Sequence, residues 1–179
     1  KVFSQLKEMG KNYKYIIIGD GPLKQMLIEN TKNMGLNIGY DLNEEKSDIF
    51  FLGHQNNPYK YINKKSVFLL SSNYEGMPNV IIEAMSRGAV IVSSNCPTGP
   101  RELIANDESF NKNIVKYKFG FLLSVPSNSQ KDINLWSNAL IKIMEDKSLR
   151  DSYSNYSILR SKDFSFEKVI SQWRSIIIN

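Results

Sequence analysis

The sequence predicts an α/β fold in which helices cover a doubly wound parallel sheet. Short runs of β-branched and aliphatic residues alternate with segments of helical periodicity, at about the spacing of βα units. Each apolar run is followed by a loop rich in glycine, proline or polar residues, as is typical where buried parallel strands end. The 179 residues suit one domain, and no internal boundary is visible, so we expect a single domain over residues 1–179.

The first third of the chain predicts a helix, a strand, a second helix and a second strand. Apolar residues at helical spacing in 1–9 precede an apolar strand at 15–18. Pro22 marks the start of the next helix, and we expect its apolar face to comprise Leu23, Met26, Leu27 and Met34. Residues 36–47 are polar and predict an extended loop before a strand at 48–53.

The middle of the chain carries the clearest strand, loop, helix and strand unit. After a short helix at 59–64, an apolar strand at 67–70 leads into a loop that ends at Pro78. Proline suits the first helical position because its fixed φ is preorganised and its missing N–H is not needed there. Gly88 stands where this helix should end, and a strand is expected at 89–92.

The remaining segments predict mostly helices. A short helix should begin at Pro100, and weak strand signals occur at 114–115 and 119–123, after a polar loop at 106–113. Amphipathic helices are expected over 130–146 and 147–161. The last helix should present an apolar face formed by Val169, Ile170, Trp173 and Ile177.

Composition and charge argue against several classes of protein. The net charge of +5 comes from scattered lysines, and no basic stripe is interleaved with aromatic residues, so we expect no nucleic-acid partner. Cys96 and His54 are the only residues of their types, which rules out an internal disulfide and a Cys/His zinc cage. No apolar run approaches the ~20 residues that span a bilayer, and we expect a reducing, cytoplasmic setting.

Four loops follow predicted strands, at 19–22, 53–57, 71–78 and 95–100. In an open parallel sheet ligands bind at the carboxyl ends of the strands, so these loops should line one cleft. The pair Gly19 and Gly21 does not complete a dinucleotide-binding pattern, because the third glycine would fall on Lys24. This turn is therefore either a plain tight turn or a turn that faces a ligand.

Two carboxylates mark the central unit. Glu83 lies on a helix among apolar neighbours, and a carboxylate there can accept two hydroxyl hydrogen bonds, as from the vicinal diol of a ribose. The alternative is a helix glutamate that faces solvent. Glu75 in the preceding loop either addresses a sugar or is a solvated loop residue. The helix start at Gly76, Met77, Asn79 and Val80 offers backbone N–H groups to a phosphate, unless Asn79 and water satisfy them.

These residues resemble a known family. The block from Glu75 to Glu83, Glu-Gly-Met-Pro-Asn-Val-Ile-Ile-Glu, resembles the signature of retaining glycosyltransferases of family 4, especially members that build bacterial surface polysaccharides. Further blocks match the family in the same order: Gly19-Asp20-Gly21-Pro22, Phe51-Leu52-Gly53, Asn57-Pro58-Tyr59 and Cys96-Pro97-Thr98-Gly99-Pro100-Arg101-Glu102.

The resemblance implies the C-terminal, donor-binding half of a GT-B enzyme, a Rossmann-like domain with C-terminal helices. By the motif, Glu83 would bind the donor ribose and Glu75 would be the catalytic residue at the donor sugar. The other implied donor-binding residues are Gly19, Gly21, Gly53, His54, Gln55, Gly76, Met77, Pro78, Asn79 and Val80. No metal and no cofactor are expected beyond the substrate, a nucleotide-diphosphate sugar, with a UDP-sugar favoured.

The implied reaction transfers a sugar with retention to a glycan or lipid-linked acceptor. The family's acceptor half and first strand, with an Arg and a Lys that grip the diphosphate, precede the region matched here. We therefore expect a fragment with little activity alone, whose segment 164–179 packs on the absent half. The full protein is expected at the inner face of the membrane, as a peripheral protein.

Three other functions remain open at this stage. A GT-B sugar-nucleotide epimerase or phosphorylase would share the same donor motif. A non-catalytic interaction domain would share only the fold.

Overall fold

The computed structural model describes residues 1–105 and 116–177. Helices and strands alternate through most of this part, as the sequence predicts. The elements are α1 (Val2–Glu8), β1 (Tyr15–Ile17), α2 (Lys24–Asn33), β2 (Ile38–Gly39), β3 (Ile49–Phe51), β4 (Val67–Leu70), α3 (Asn79–Ser86), β5 (Val90–Ser94), α4 (Pro100–Ile104), β6 (Lys116–Tyr117), β7 (Gly120–Leu123), α5 (Gln130–Glu145), α6 (Lys147–Ser161) and α7 (Phe166–Ile177). Single 3₁₀ turns occur at Pro58–Tyr61 and Lys162–Phe164.

The chain divides into two compact units. The first unit comprises Lys1–Pro58 and Asn128–Asn138, and the second comprises Tyr59–Ser127 and Ala139–Asn179. The expectation of a single domain over residues 1–179 stays a prediction.

The first unit contains a parallel sheet with the strand order β1, β3, β2. Its core forms where α2 and the sheet bury Ile28, Leu36, Ile49 and Phe51. Phe3 of α1 packs on this cluster and stacks on Tyr15, with 4.5 Å between the ring centroids. Each fully buried aliphatic or aromatic side chain contributes about 1.5–3 kcal/mol to folding.

The second unit contains a sheet with the strand order β4, β5, β7, β6. The first three strands are parallel, and β6 is antiparallel to β7. All five residues of β5 are buried, as expected for a central parallel strand with both faces covered. Helices α3 and α4 pack on this sheet through Ile81, Ala84, Met85, Leu103 and Ile104. The predicted α/β fold with a parallel sheet is confirmed.

The expected apolar face of α2 is wrong. Leu23, Met26 and Leu27 are 60%, 47% and 45% exposed, and only Met34 of the expected set packs on the core of the first unit. The buried stripe is instead Ile28 and Thr31. Thr31 can be buried because its hydroxyl donates to the main-chain oxygen of Leu27 at 2.7 Å, which leaves its methyl group to pack.

Two short strands differ from the sequence expectations. The segment 36–47 is not wholly loop, because β2 pairs with β3 there. Gly39 makes this strand hard to recognise from the sequence. The glycine is nevertheless required, because a Cβ there would lie 2.6 Å from the Ser47 hydroxyl and 2.8 Å from the Phe50 ring. The predicted loop at 106–113 and weak strand at 114–115 lie outside the described residues, and β6 follows them directly.

The two proline-marked helix starts are shifted slightly. Helix α2 begins at Lys24, two residues after Pro22, and Pro78 is the N-cap of α3 rather than its first residue. The Pro78 φ of −75° is that of a helix, but its ψ of 88° is not, so the helix begins at Asn79. Gly88, at φ +78°, ends α3 as predicted.

Helix α7 exposes its apolar residues. Phe166, Trp173, Ile176 and Ile177 are between 59% and 76% exposed, and no residue of α7 is buried. The expectation that 164–179 packs on another half of the protein stays a prediction, and residues 178–179 lie outside the described part.

Candidate functional site

The loops that follow β4 and β5 leave the second unit at one edge of its sheet. The parallel register pairs Leu70 with Ser93, so both chains leave the sheet side by side. The Ser94 hydroxyl donates to the main-chain oxygen of Ser72 at 2.5 Å, and the Thr98 hydroxyl donates to the main-chain oxygen of Glu75. Residues 71–78 and 95–99 therefore form one continuous surface, as predicted for this pair of loops.

Gly99 makes the closest approach between the two loops. Its φ of +88° favours glycine, and a Cβ at this position would overlap the main-chain oxygen of Gly76 and lie 2.6 Å from Cδ of Pro78. The chain can pass here only without a side chain. This contact fixes the backbone of residues 76–78 just before α3 begins.

The start of α4 supports this contact from below. The N–H of Gly99 donates to Oε2 of Glu102 at 2.8 Å, in the manner of a capping box, and Pro100 follows as the first helical residue. Arg101 reaches back along the loop, with its Nε and Nη2 each 3.4 Å from Oδ1 of Asn95. The loop 95–99 is thereby held at both of its ends.

Glu75 and Glu83 are both half-buried in this unit. Hydrogen bonds within the described residues engage their main-chain oxygens: Thr98 binds that of Glu75, and the Ser86 hydroxyl binds that of Glu83 at 2.6 Å. These hydrogen bonds therefore do not involve the carboxylate groups. A half-buried carboxylate with free acceptor positions suits a ligand that donates hydroxyl hydrogen bonds.

The N-terminus of α3 lies next to these residues in the chain. No side-chain oxygen caps it, so capping by Asn79 is not observed. Asn79 and Val80 are exposed, as are Gly76 and Met77, whereas Pro78 is buried. An uncapped helix start combines free N–H groups with the positive end of the helix dipole, which favours an anion such as a phosphate.

The loops that follow β1 and β3 come together in the first unit. The N–H of Gly19 donates to the main-chain oxygen of Gly53 at 2.8 Å, and both residues adopt positive φ, +124° and +64°. Asp20 accepts hydrogen bonds from the Gly21 N–H at 3.1 Å and from Nζ of Lys24 at 3.0 Å. These bonds, with the charges of Lys24 and His54, hold the pKa of Asp20 below its usual value.

His54 and Gln55 differ in their surroundings. His54 is exposed, as a residue that lines a binding surface can be. Gln55 is half-buried, and its amide donates to the main-chain oxygen of Leu52 at 2.8 Å, so part of its side chain closes the loop. The donor-binding roles expected for Gly19, Gly21, Gly53, His54 and Gln55 stay predictions, as does a cleft that gathers all four loops.

Sequence reasoning about the site missed Thr98, Gly99, Glu102 and Lys24. Thr98, Gly99 and Glu102 belong to a motif that carries the family resemblance, but no role followed from it. The order Thr-Gly-Pro after a strand, with a glutamate three residues beyond the glycine, is a capping signal that was available in the sequence. Asp20 and Lys24, four residues apart at a helix start, were a second such signal.

The family described as glycosyl transferases group 1 matches residues 1–160. The chain belongs to this family. It is 33% identical over 98% of its length to an uncharacterised glycosyltransferase of Methanocaldococcus jannaschii, and covers 44% of that protein. It is 32% identical over 94% of its length to the Campylobacter jejuni N-acetylgalactosamine-N,N'-diacetylbacillosaminyl-diphospho-undecaprenol 4-alpha-N-acetylgalactosaminyltransferase, and covers 39% of it. The chain thus spans less than half the length of these two relatives.

Solved structures share the fold of this group 1 chain. The pneumococcal O-GlcNAc transferase GtfA, in complex with UDP and GlcNAc, superposes with a TM-score of 0.71 at 17% identity, over 98% of this chain and 31% of GtfA. The fold matches part of a GT-B glycosyltransferase structure, which confirms the expected α/β fold class.

Two further properties concern the described residues only. In this part of the chain no helix combines the length and the apolar character that crossing a bilayer requires. Residues 1–105 and 116–177 also contain no cluster of three or more His, Cys, Asp or Glu suited to a metal ion. The expectation that donor binding needs no metal stays a prediction.

Proposed function

We propose that this chain is the donor-binding part of a retaining glycosyltransferase of family 4. The donor is a nucleotide-diphosphate sugar, with a UDP-sugar favoured, and the acceptor is a glycan or a lipid-linked glycan. The observation that carries the proposal is the surface formed by residues 71–80 and 95–99. Half-buried Glu75 precedes the uncapped start of α3, half-buried Glu83 lies on that helix next to this surface, and the segment 95–99 fixes the backbone of residues 75–78.

Each part of this surface suits one part of the donor. The N–H groups at the start of α3 suit the diphosphate, whose charge the helix dipole favours. The carboxylate of Glu83, on the same helix, can accept both hydroxyl hydrogen bonds of a ribose diol. Glu75 lies in the loop before the helix, on the other side of the helix start in the sequence from Glu83. We therefore assign it to the sugar end of the donor, where it stabilises developing positive charge.

The proposed transfer breaks the bond between the anomeric carbon and the diphosphate oxygen. A new bond forms from the same carbon, on the same face, to an acceptor hydroxyl, whose proton is lost. The nucleoside diphosphate leaves with the electron pair of the broken bond. Binding energy at the ribose and diphosphate positions the donor, so most of the rate comes from orientation and charge stabilisation.

The names of two relatives support the choice of donor and acceptor. One relative, 28% identical over 92% of this chain, is named as a UDP-Gal:alpha-D-GlcNAc-diphosphoundecaprenol alpha-1,3-galactosyltransferase of Escherichia coli. The Campylobacter relative described above is likewise named for an undecaprenol-linked acceptor. By analogy we propose a lipid-linked acceptor and peripheral attachment at the inner face of the membrane.

The test is calorimetry of the full-length protein with UDP, GDP and a panel of nucleotide sugars, followed by product analysis. We expect one nucleotide sugar to bind and to be consumed only with an acceptor, with the anomeric configuration retained by NMR. Activity that survives EDTA supports transfer without a metal. Release of a free epimer would identify an epimerase. Cleavage that depends on phosphate would identify a phosphorylase. If no nucleotide binds, the chain is a non-catalytic domain.

A further inference from the structure

We propose that Thr98 and Gly99 are positioning residues for Glu75. They hold the backbone of Glu75 and Gly76 and thereby set where the Glu75 carboxylate meets the donor sugar. This inference rests on the proposed function, but its structural half, that Thr98 orders the loop 72–80, can be measured without any substrate.

The first contact is a hydrogen bond from Thr98 to the backbone of Glu75. The Thr98 hydroxyl donates to the main-chain oxygen of Glu75, across 23 residues of sequence. Thr98 is exposed, so water competes for this bond and its contribution to overall stability is small. Its effect should therefore appear in the position of Glu75 rather than in the unfolding of the protein.

The second contact is the close packing of Gly99 on Gly76. A side chain at 99 would overlap the Gly76 main-chain oxygen, so the two backbones touch directly. Since Thr98 and Gly99 are adjacent, they hold the adjacent residues Glu75 and Gly76 as a matched pair. The loop cannot shift at Glu75 without breaking the hydrogen bond or separating the two backbones.

The segment 98–102, which holds Glu75 and Gly76, is itself anchored by the buried guanidinium group of Arg160. Arg160 of α6 donates to the main-chain oxygens of Glu102 at 2.7 Å and Leu103 at 3.0 Å, and is 9% exposed. Its guanidinium lies 5.2 Å from the Phe119 ring centroid and 4.8 Å from that of Phe164. Glu102, fixed in this way, accepts the Gly99 N–H at 2.8 Å, so the start of α4 supports the contact of Gly99 with the loop 72–80.

A loop that only connected β5 to α4 would not need these contacts with Glu75 and Gly76. The segment 95–99 leads from β5 into α4, and on this path it contacts the backbone of Glu75 and Gly76. The buried Cys96 thiol donates to the main-chain oxygen of Thr98 at 3.6 Å, and the Gly99 N–H donates to Glu102, so the backbone of Thr98 and Gly99 is held in place. The orientation of a catalytic group by such a contact is worth up to about 10²-fold in rate per ångström.

The test compares Thr98→Val, which removes the hydroxyl at nearly constant shape, with Thr98→Ser, which restores it. The matched control is Thr31→Val, which removes a threonine hydroxyl that also donates to a main-chain oxygen, that of Leu27, but on α2. All are made in the full-length protein. Hydrogen exchange is followed in peptides that cover 72–80, and kcat and KM for the donor are measured in parallel.

We expect Thr98→Val to speed exchange in 72–80 and to lower kcat by about tenfold or more, with KM changed less than about threefold, because only orientation is lost. Thr98→Ser should restore both values, and Thr31→Val should change neither. Unchanged exchange in Thr98→Val overturns the inference, as does faster exchange with an unchanged kcat. A parent protein that uses no nucleotide sugar overturns the proposed function instead, and exchange alone then decides whether Thr98 orders the loop.

Discussion

Gly99 and Gly76 touch through their backbones, and neither the φ of Gly99 nor the space around it admits a side chain. Gly76, by contrast, has open space at its own Cβ position. The contact is therefore asymmetric: one glycine is required by its surroundings and the other is not. The two loops can therefore touch only if residue 99 is glycine, whereas residue 76 could carry a side chain.

Gly99→Ala should destabilise the second unit and displace the loop 72–80, which Gly99 contacts. An alanine at φ +88° is strained by roughly 1–3 kcal/mol, and its Cβ would push on the backbone of Gly76 rather than on a movable side chain. Thermal unfolding checks the stability, with Gly76→Ala as the matched control, since that Cβ meets open space. Equal melting temperatures for the two variants would contradict the described contact.

Asp48 should stabilise the first unit only above acid pH. Partial burial alone would raise its pKa, but hydrogen bonds from Lys7 at 2.8 Å and from the Asn37 N–H at 2.7 Å, with the charges of Lys7 and Lys14, lower it overall. A lowered pKa means stability that is present above the unfolded value of 3.8 and is lost as the pH falls through the folded value. Asp48→Asn should therefore cost about 1–2 kcal/mol at neutral pH.

Urea unfolding at a series of pH values measures this effect. The difference between Asp48→Asn and the parent should shrink as the pH falls below the folded pKa of Asp48. The control is Asp151→Asn, which breaks an exposed pair with Lys147 that solvent screens. An equal loss from both variants would mean that the hydrogen bonds to the partly buried Asp48 carboxylate are not the cause.

Tyr153 should make the protein sensitive to alkali. Burial, with a smaller effect of Tyr156, raises the pKa of Tyr153 to about 12, and its hydroxyl donates to the main-chain oxygen of Tyr117 at 2.8 Å. Because the folded pKa lies above the unfolded value of 10.0, this stabilisation is complete below pH 10 and is lost as the pH rises towards 12.

Tyr153→Phe should cost about 1–2 kcal/mol at neutral pH, because it leaves the Tyr117 oxygen without this donor. The variant should also lose less stability than the parent between pH 10 and 12, as measured by urea unfolding. A parallel loss in both proteins would show that another group titrates there.

The sequence predicted the strands and the central helix well, because β-branched runs and glycine or proline boundaries determine them locally. It failed where a tertiary contact overrides the local pattern. Thr31 is buried in place of Met26 because a back-bonded hydroxyl can enter a core, and Gly39 completes a strand because its neighbours leave no room for a side chain.

Parts of the candidate site could be predicted for similar reasons. The uncapped start of α3 follows from Pro78 and the residues around it, all of them local signals. The grip of Thr98 and Gly99 on Glu75 and Gly76 joins residues 23 positions apart, so no periodicity or turn rule reveals it. The anchoring of α4 by Arg160 spans 57 and 58 positions and is equally invisible in the sequence.

The most direct test of the proposed function is calorimetric titration with UDP of the full-length protein and of its Glu83→Ala variant. The matched control is Glu29→Ala, which removes a glutamate that accepts a hydrogen bond from Gln25 on α2. Loss of charged hydrogen bonds to the ribose should weaken binding in Glu83→Ala at least about tenfold, equivalent to about 1.4 kcal/mol. Glu29→Ala should bind as the parent does. Undiminished binding of UDP by Glu83→Ala would contradict the account, as would a parent protein that binds no nucleotide.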